Sequence, residues 1–264
     1  MAPKTFVVAE AGSAHEGDWK TAREMIHMAK GAGADAFKVQ YWSNAAHLAD
    51  RRRAKAFLAL YEKYALPVTW LGPLAQECRQ AGIAFMCTVY LPEDIKVVDP
   101  FVHHFKVASF EALDFPFVDQ HPADGRAVMV SLGMVGNQDM DRLLERRRGR
   151  TSLKYLHCVS GYPTPLHEVN LSVIRRYDLD GFSDHTGDVH MGADAVLAGA
   201  RIVEVHFRAG QTSPKNPDYP HSLTPYDLHR YVTNIRAAEV RLGDPVKCVQ
   251  PSERENLNYQ VFSS

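Results

Sequence analysis

The sequence predicts a single-domain α/β protein, a (β/α)8 or TIM barrel, in which eight parallel strands close into a cylinder surrounded by helices. Short β-branched runs alternate with longer amphipathic runs along the whole chain. Eight strand–helix units in 264 residues leave 264/8 = 33 residues for each unit, which suits a barrel with few insertions. A doubly wound open sheet is the alternative, but the segment 10–15 after the first run (EAGSAH) lacks the GxGxxG turn typical of that fold.

Eight runs have the length and the β-branched or aromatic content of buried strands. In chain order they span residues 5–10, 35–40, 83–89, 102–108, 127–132, 153–159, 181–183 and 201–206.

Helical periodicity is clear in five of the intervening segments, 18–30, 73–80, 137–147, 189–197 and 225–241, with Asp18 as an N-cap of the first. The connection 41–66 after the second strand is enlarged and contains Arg51-Arg52-Arg53, a run that predicts a solvated helix face, with a phosphate contact as the alternative. We assign residues 1–244 to the catalytic barrel and 245–264 to a C-terminal tail.

Composition points to small-molecule chemistry. The 30 Lys and Arg residues balance 31 Asp and Glu residues, so no broad field attracts nucleic acid or a membrane surface, and we expect neither as a partner. The four cysteines have no metal or disulfide spacing, and no secretion signal or span of ~18 apolar residues is present. We therefore expect a cytoplasmic protein.

The predicted strand ends carry polar side chains, and a barrel builds its active site from those ends. If Lys38 and Lys106 point into the barrel, their buried ammonium groups require an anion, either a phosphate or carboxylate ligand or a core carboxylate such as Glu10 or Glu204.

Two histidines, His185 and His206, follow adjacent strands at the same rim. Two imidazoles can bind one divalent ion there, and a nitrogen and oxygen ligand shell suits Mn, Fe, Co or Zn better than Mg. The alternative is a pair of hydrogen-bonded core histidines.

Seven motifs, in order and spacing, resemble the N-acetylneuraminate (sialic acid) synthase family from about residue 5 to residue 243. They are AEAGSAHEGD (9–18), GADAFKVQ (33–40), FKVASFE (105–111), SLGM (131–134), LHCVSGYPTP (156–165), SDHTG (183–187) and VEVHF (203–207). The resemblance implies a transferase of carbohydrate biosynthesis that condenses phosphoenolpyruvate (PEP) with an aldose or other aldehyde to give a 2-keto-3-deoxy acid and phosphate. It also implies a divalent metal, with Mn preferred over Mg, Co or Zn.

The resemblance assigns roles to the matching residues. Glu10, Lys38, Gln40 and Lys106 would be catalytic, with Glu10 orienting or deprotonating a water, and His185 and His206 would hold the metal. The resemblance implies that PEP is bound by the two lysines with Thr88, Ser109, Ser131 and Ser183. It implies that the sugar is contacted by Glu111, Ser160, Tyr162 and Asp218.

The chain departs from the family pattern on the sugar side, where Ala14, Phe110, Leu132, Ser160 and Val205 replace more polar or smaller residues. It resembles only the start of the linker to the family's C-terminal antifreeze-like domain, so we expect a barrel-only member and an acceptor other than N-acetylmannosamine. A homodimer is one possible oligomeric state. Two other functions stay open: a non-catalytic sensor of a phosphorylated metabolite, and an aldolase or lyase that uses Lys106 as a Schiff base.

Overall fold

The computed structural model describes residues 4–261 and contains eight parallel strands that close into a barrel in chain order, with β8 paired to β1. The predicted (β/α)8 fold and all eight predicted strands are confirmed, with small differences at the strand ends. The strands are β1 (Phe6–Glu10), β2 (Ala36–Tyr41), β3 (Ala84–Val89), β4 (His104–Val107), β5 (Val128–Ser131), β6 (Leu153–Cys158), β7 (Gly181–Asp184) and β8 (Ile202–His206).

The described residues form ten α-helices around and over the barrel: α1 (Trp19–Gly31), α2 (Ala45–Arg51), α3 (Leu58–Tyr64), α4 (Leu71–Ala81), α5 (Pro92–Val98), α6 (Phe115–Asp119), α7 (Asn137–Gly149), α8 (Ser172–Arg176), α9 (Met191–Leu197) and α10 (Pro225–Leu242). The five predicted helices are α1, α4, α7, α9 and α10. Asp18 caps α1 as expected, because its carboxylate accepts the Thr21 backbone N–H. The other five helices have five to seven residues each, and the sequence analysis assigned no helical period to them.

The barrel interior changes from apolar to charged along its axis. Its floor is a layer of buried side chains from alternate strand positions, Val8, Ala36, Met86, Met129 and Leu156. Two residues further along β1 and β2 the inward positions are the charged Glu10 and Lys38, and the register places Glu10 beside both Lys38 and His206. The fold therefore brings the charged strand ends to one level near the rim.

The enlarged connection after β2 folds as α2 and α3 and packs over the rim through a small core of its own, in which Trp42, Leu48 and Tyr64 contact Tyr90 and Leu91. Arg53 is exposed, as the prediction of a solvated helix face for the arginine run requires. The prediction is wrong for Arg52, whose side chain is only 15% exposed because it inserts towards the rim.

After α10 the chain is exposed through residue 261 and includes a 3-10 segment, Pro251–Tyr259. The division of the chain at residue 244 stays a prediction. Within residues 4–261, no helix is both long enough and apolar enough to cross a membrane.

Candidate active site

Four buried side chains, Glu10, Lys38, Lys106 and Glu204, form a charged layer across the barrel. Glu10 forms an ion pair with Lys38. The Glu204 carboxylate lies between the two lysines, 3.6 Å from Lys38 Nζ and 3.4 Å from Lys106 Nζ. The carboxylate pairing considered for each lysine is therefore present, and two positive charges balance two negative ones.

Hydroxyl groups hold both lysines in place. Lys38 Nζ donates to Thr88 Oγ1 at 2.7 Å, and Lys106 Nζ donates to Ser131 Oγ at 2.7 Å. Ser183 Oγ donates to Glu204 Oε1 at 2.9 Å. These bonds fix the ammonium groups near the rim of the barrel and place hydroxyls beside any anion that binds there.

The two lysines differ in their electrostatic surroundings. Burial lowers the pKa of Lys38, but attraction to Glu10 and Glu204 outweighs burial and raises that pKa above its ordinary value. Burial also lowers the pKa of Lys106, and with repulsion from Lys38 it outweighs attraction to Glu204, so that pKa stays lowered. Burial alone raises the pKa of Glu204, whereas Lys106 and Lys38 together lower it. An anion bound in the cavity would therefore stabilise the charged form of Lys106.

A second polar group lies at the rim beyond β8, and we call His206, Asp218 and His221 the His/Asp cluster. Asp218 Oδ1 is 3.9 Å from His206 Nδ1 and 3.6 Å from His221 Nε2, and one ligand atom from each residue lies within 4.8 Å of the others. Asp218 Oδ2 accepts from the backbone N–H and the hydroxyl of Ser13 at 2.6 and 2.7 Å, which orients Oδ1 towards the imidazoles.

The cluster has unused ligand atoms. His206 Nδ1 and both ring nitrogens of His221 are buried with no hydrogen-bond partner within the part of the chain that the structure describes. Burial, reinforced by His206, lowers the pKa of His221 to about 3, so this imidazole is neutral near pH 7 and keeps a lone pair. The predicted ligand His185 lies beside the cluster, with its ring 5.4 Å from that of His206. Its Nδ1 is 3.1 Å from the Val159 carbonyl oxygen, which can only accept, so Nε2 of His185 carries the lone pair.

A cavity of about 410 Å³ opens above the charged layer and beside the His/Asp cluster. Most predicted site residues line it: Lys38, Gln40, Thr88, Lys106, Ser109, Ser131, Tyr162, Ser183, His185, His206 and Asp218. Glu10, Glu111 and Ser160 lie outside this lining. Glu10 is fully buried behind Lys38, and Ser160 lines a neighbouring cavity between β5 and β6.

Glu111 is held away from the cavity by Arg52. The guanidinium donates from Nε and Nη2 to the two carboxylate oxygens of Glu111, at 2.8 and 2.9 Å. Arg52 itself lines the cavity and stacks on Tyr90 and Phe110, 4.5 and 4.8 Å from their ring centres. The residue expected to face a sugar is therefore already paired.

Two residues that shape the site were not among the predicted ones. His221 lies in the long loop after β8, where no strand end indicates its position, although its separation of three residues from Asp218 is a local signal. Arg52 belongs to a basic run, and the sequence alone does not distinguish its inserted side chain from the exposed Arg53.

Comparison with known proteins identifies the family to which this chain belongs. A family model described as the NeuB family matches residues 25–247, which include β2 to β8, the His/Asp cluster and all of the charged layer except Glu10. The chain belongs to the NeuB family. This membership confirms the resemblance seen in the seven motifs.

Relatives of this NeuB-family chain are named as synthases. The N,N'-diacetyllegionaminic acid synthase of Campylobacter jejuni is 28% identical over 97% of this chain and 82% of its own length. The human N-acetylneuraminate-9-phosphate synthase is 29% identical over 94% of this chain and 74% of its own length. A crystal structure of the N-acetylneuraminic acid (sialic acid) synthetase of Leptospira borgpetersenii aligns with a TM-score of 0.88 and 26% identity, covering 97% of this chain and 91% of that one. The expectation of an enzyme is confirmed.

Proposed function

We propose that this chain condenses PEP with the aldehyde carbon of a sugar or another aldehyde, giving a 2-keto-3-deoxy acid and inorganic phosphate. The observation that carries the proposal is that Lys38 and Lys106, both buried, line the same cavity as the His/Asp cluster. Ammonium and hydroxyl donors that face one cavity suit an anionic ligand, and PEP supplies a carboxylate and a phosphate. The synthase names of the relatives support a bond-forming reaction of this kind.

In this reaction the two lysines bind the anionic groups of PEP, with hydroxyl contacts from Thr88, Ser109, Ser131 and Ser183. C3 of PEP forms the new bond to the aldehyde carbon, and the aldehyde oxygen takes up a proton. Water adds at C2, the bond from C2 to the phosphate oxygen breaks, and phosphate leaves as C2 becomes a ketone. Fixing PEP against the acceptor is an orientation effect, which contributes several kcal/mol in well-positioned reactions.

The His/Asp cluster fits a divalent metal. Its buried nitrogens lack partners within residues 4–261, and its mixed nitrogen and oxygen donors suit Mn, Fe, Co or Zn. We propose His206, Asp218 and His221 as ligands, with Nε2 of His185 as a further donor, and Mn as the ion. These residues would hold an ion whose Lewis acidity would polarise the acceptor carbonyl.

Glu10 has a narrower role in this proposal than the water activation expected from the sequence. Its Oε1 accepts the Gly12 backbone N–H at 2.8 Å and the Gln40 side-chain amide at 3.2 Å, while the carboxylate also pairs with Lys38. Glu10 therefore acts as a positioning residue for Lys38 and Gln40, and these two residues face the substrates.

The test is release of phosphate from PEP in the presence of Mn²⁺ and a panel of aldoses and simple aldehydes. We expect release that depends on the aldehyde, is abolished in Lys106→Met, and is retained in Lys96→Met, a matched change on the exposed face of α5. If PEP binds but no aldehyde triggers release, the condensation is wrong and the sensor function becomes the better interpretation.

A further inference from the structure

The cavity has a second half whose chemistry differs from that of the charged layer. Its outer wall comes mainly from the connection after β2, with α2 and α3, and presents aromatic and aliphatic side chains. Those that line it include Trp42, Leu48, Phe57, Leu60, Tyr61 and Tyr64. An acceptor whose aldehyde carbon lies near the charged layer would extend its remaining carbons along this wall.

Polar atoms of the outer wall are largely engaged within the protein. The Trp42 indole N–H donates to the Tyr61 carbonyl oxygen at 3.1 Å. The Tyr64 hydroxyl accepts from Lys63 Nζ at 2.9 Å. A ligand hydroxyl against these side chains would lose its bonds to water and find few protein partners in exchange.

Arg52, the arginine that lines this wall within the described part of the chain, is also paired. Arg52 satisfies both oxygens of Glu111, and two aromatic rings flank its guanidinium. A phosphate on the remote end of an acceptor would have to compete with Glu111 for this guanidinium, so the wall disfavours a phosphorylated acceptor.

We infer that the acceptor is an uncharged aldehyde with an apolar alkyl, aryl or acyl substituent remote from its aldehyde carbon, and that Arg52 is a specificity-determining residue. The inference rests on the condensation proposed above. Burial of an apolar substituent against the wall is favourable in proportion to the area removed from water. Arg52 contributes by neutralising Glu111, which would otherwise present an unpaired carboxylate beside that substituent.

The experiment compares kcat/KM for N-acetylmannosamine, its 6-phosphate, and its 6-O-acetyl, 6-O-butanoyl and 6-O-hexanoyl esters, with PEP saturating. We expect kcat/KM to rise about tenfold or more from acetyl to butanoyl, since one methylene group in an apolar pocket changes it by roughly 10-fold to 200-fold. The 6-phosphate should be the poorest acceptor. Preference for the phosphorylated sugar or the acetyl ester would overturn the inference while leaving the condensation intact, and no release with any of them despite PEP binding would overturn both.

Variants separate the charge of Arg52 from its packing. Glu111→Gln removes the negative charge that neutralises Arg52, and we expect kcat/KM for the 6-phosphate to rise about tenfold, as for a site that gains an uncompensated cation. The double variant Arg52→Met/Glu111→Gln removes both charges and should return to the wild-type preference. Equal use of the 6-phosphate by the two variants would contradict the role of Arg52.

Phe57 tests the wall directly, because it is 55% exposed and its replacement leaves the core intact. Phe57→Ser should lower kcat/KM for the hexanoyl acceptor about tenfold without changing KM for PEP. Leu166→Ser is the matched control, since Leu166 is 58% exposed on another 3-10 turn away from the cavity. Equal effects of the two serine variants would overturn the proposed contact.

Discussion

Glu204 is the carboxylate that the two buried lysines share, and Glu204→Gln should destabilise the folded protein through Lys106. Lys38 would keep its ion pair with Glu10, but Lys106 has no other carboxylate within 4.0 Å among residues 4–261. At 3.4 Å and an effective dielectric constant of about 20, the lost attraction is about 5 kcal/mol. The amide is less costly to bury than the carboxylate, so we expect a net loss of about 3 kcal/mol in the free energy of unfolding, at the lower end for a broken buried pair.

Urea denaturation at pH 7 measures this loss, and two further measurements identify its cause. The double variant Lys106→Met/Glu204→Gln removes both charges and should recover most of the stability. The pKa of Lys106 is already lowered in the folded state, so between that pKa and about 10.4 the unfolded chain binds more protons than the folded one. The free energy of unfolding of Glu204→Gln should therefore rise with pH, and its deficit should be smaller at pH 9 than at pH 7. A loss below about 1 kcal/mol, or a double variant no more stable than the single one, would refute the argument.

Three further predictions concern the metal ligands, the buried histidines and the reaction class. His221→Ala should weaken Mn²⁺ binding at least about tenfold, measured by electron paramagnetic resonance titration. The control His229→Ala, on the exposed face of α10, should leave the affinity unchanged. Equal affinities of the two variants would exclude His221 as a ligand. Burial lowers the pKa of His121 to about 4, so its contribution to stability is present above pH 6.5 and lost as pH falls to 4. His121→Leu should therefore reduce the fall in the free energy of unfolding over that window by up to about 3 kcal/mol. Urea denaturation from pH 4.5 to 7 measures this fall, and an unchanged slope would contradict the prediction. Borohydride with PEP or pyruvate should leave the mass of the protein unchanged, because the condensation forms no imine, and an adduct on Lys106 would favour the aldolase or lyase alternative.

The sequence also predicted much of the site, because the relevant signals are local. Strand parity puts Lys38 and Gln40 on one face of β2, and Glu204 and His206 on one face of β8, once those strands are recognised. A barrel then brings the carboxyl ends of its strands together. The order of the strands and the polar rim follow from these two rules, and most of the predicted site residues line the cavity.

Other features depended on contacts between residues far apart in the chain. Arg52 reaches Glu111 across 59 residues, and the resulting pair changes an expected sugar contact into an internal ion pair. The paths of the α2–α3 connection and of the loop after β8 decide that Arg52 and His221 face the cavity, and neither path has a period that a sequence window can detect.

By itself, then, the sequence determined the barrel, the inward lysines and the family, since repeated local periodicity and motif order specify them. Only the tertiary structure decided how the charges are shared, that His221 joins Asp218 and His206, and that the outer wall of the cavity is apolar with Arg52 paired to Glu111. The physical reason is that ion pairing and cavity shape depend on distances of a few ångströms between segments, and those distances are set only when the barrel closes and its loops pack.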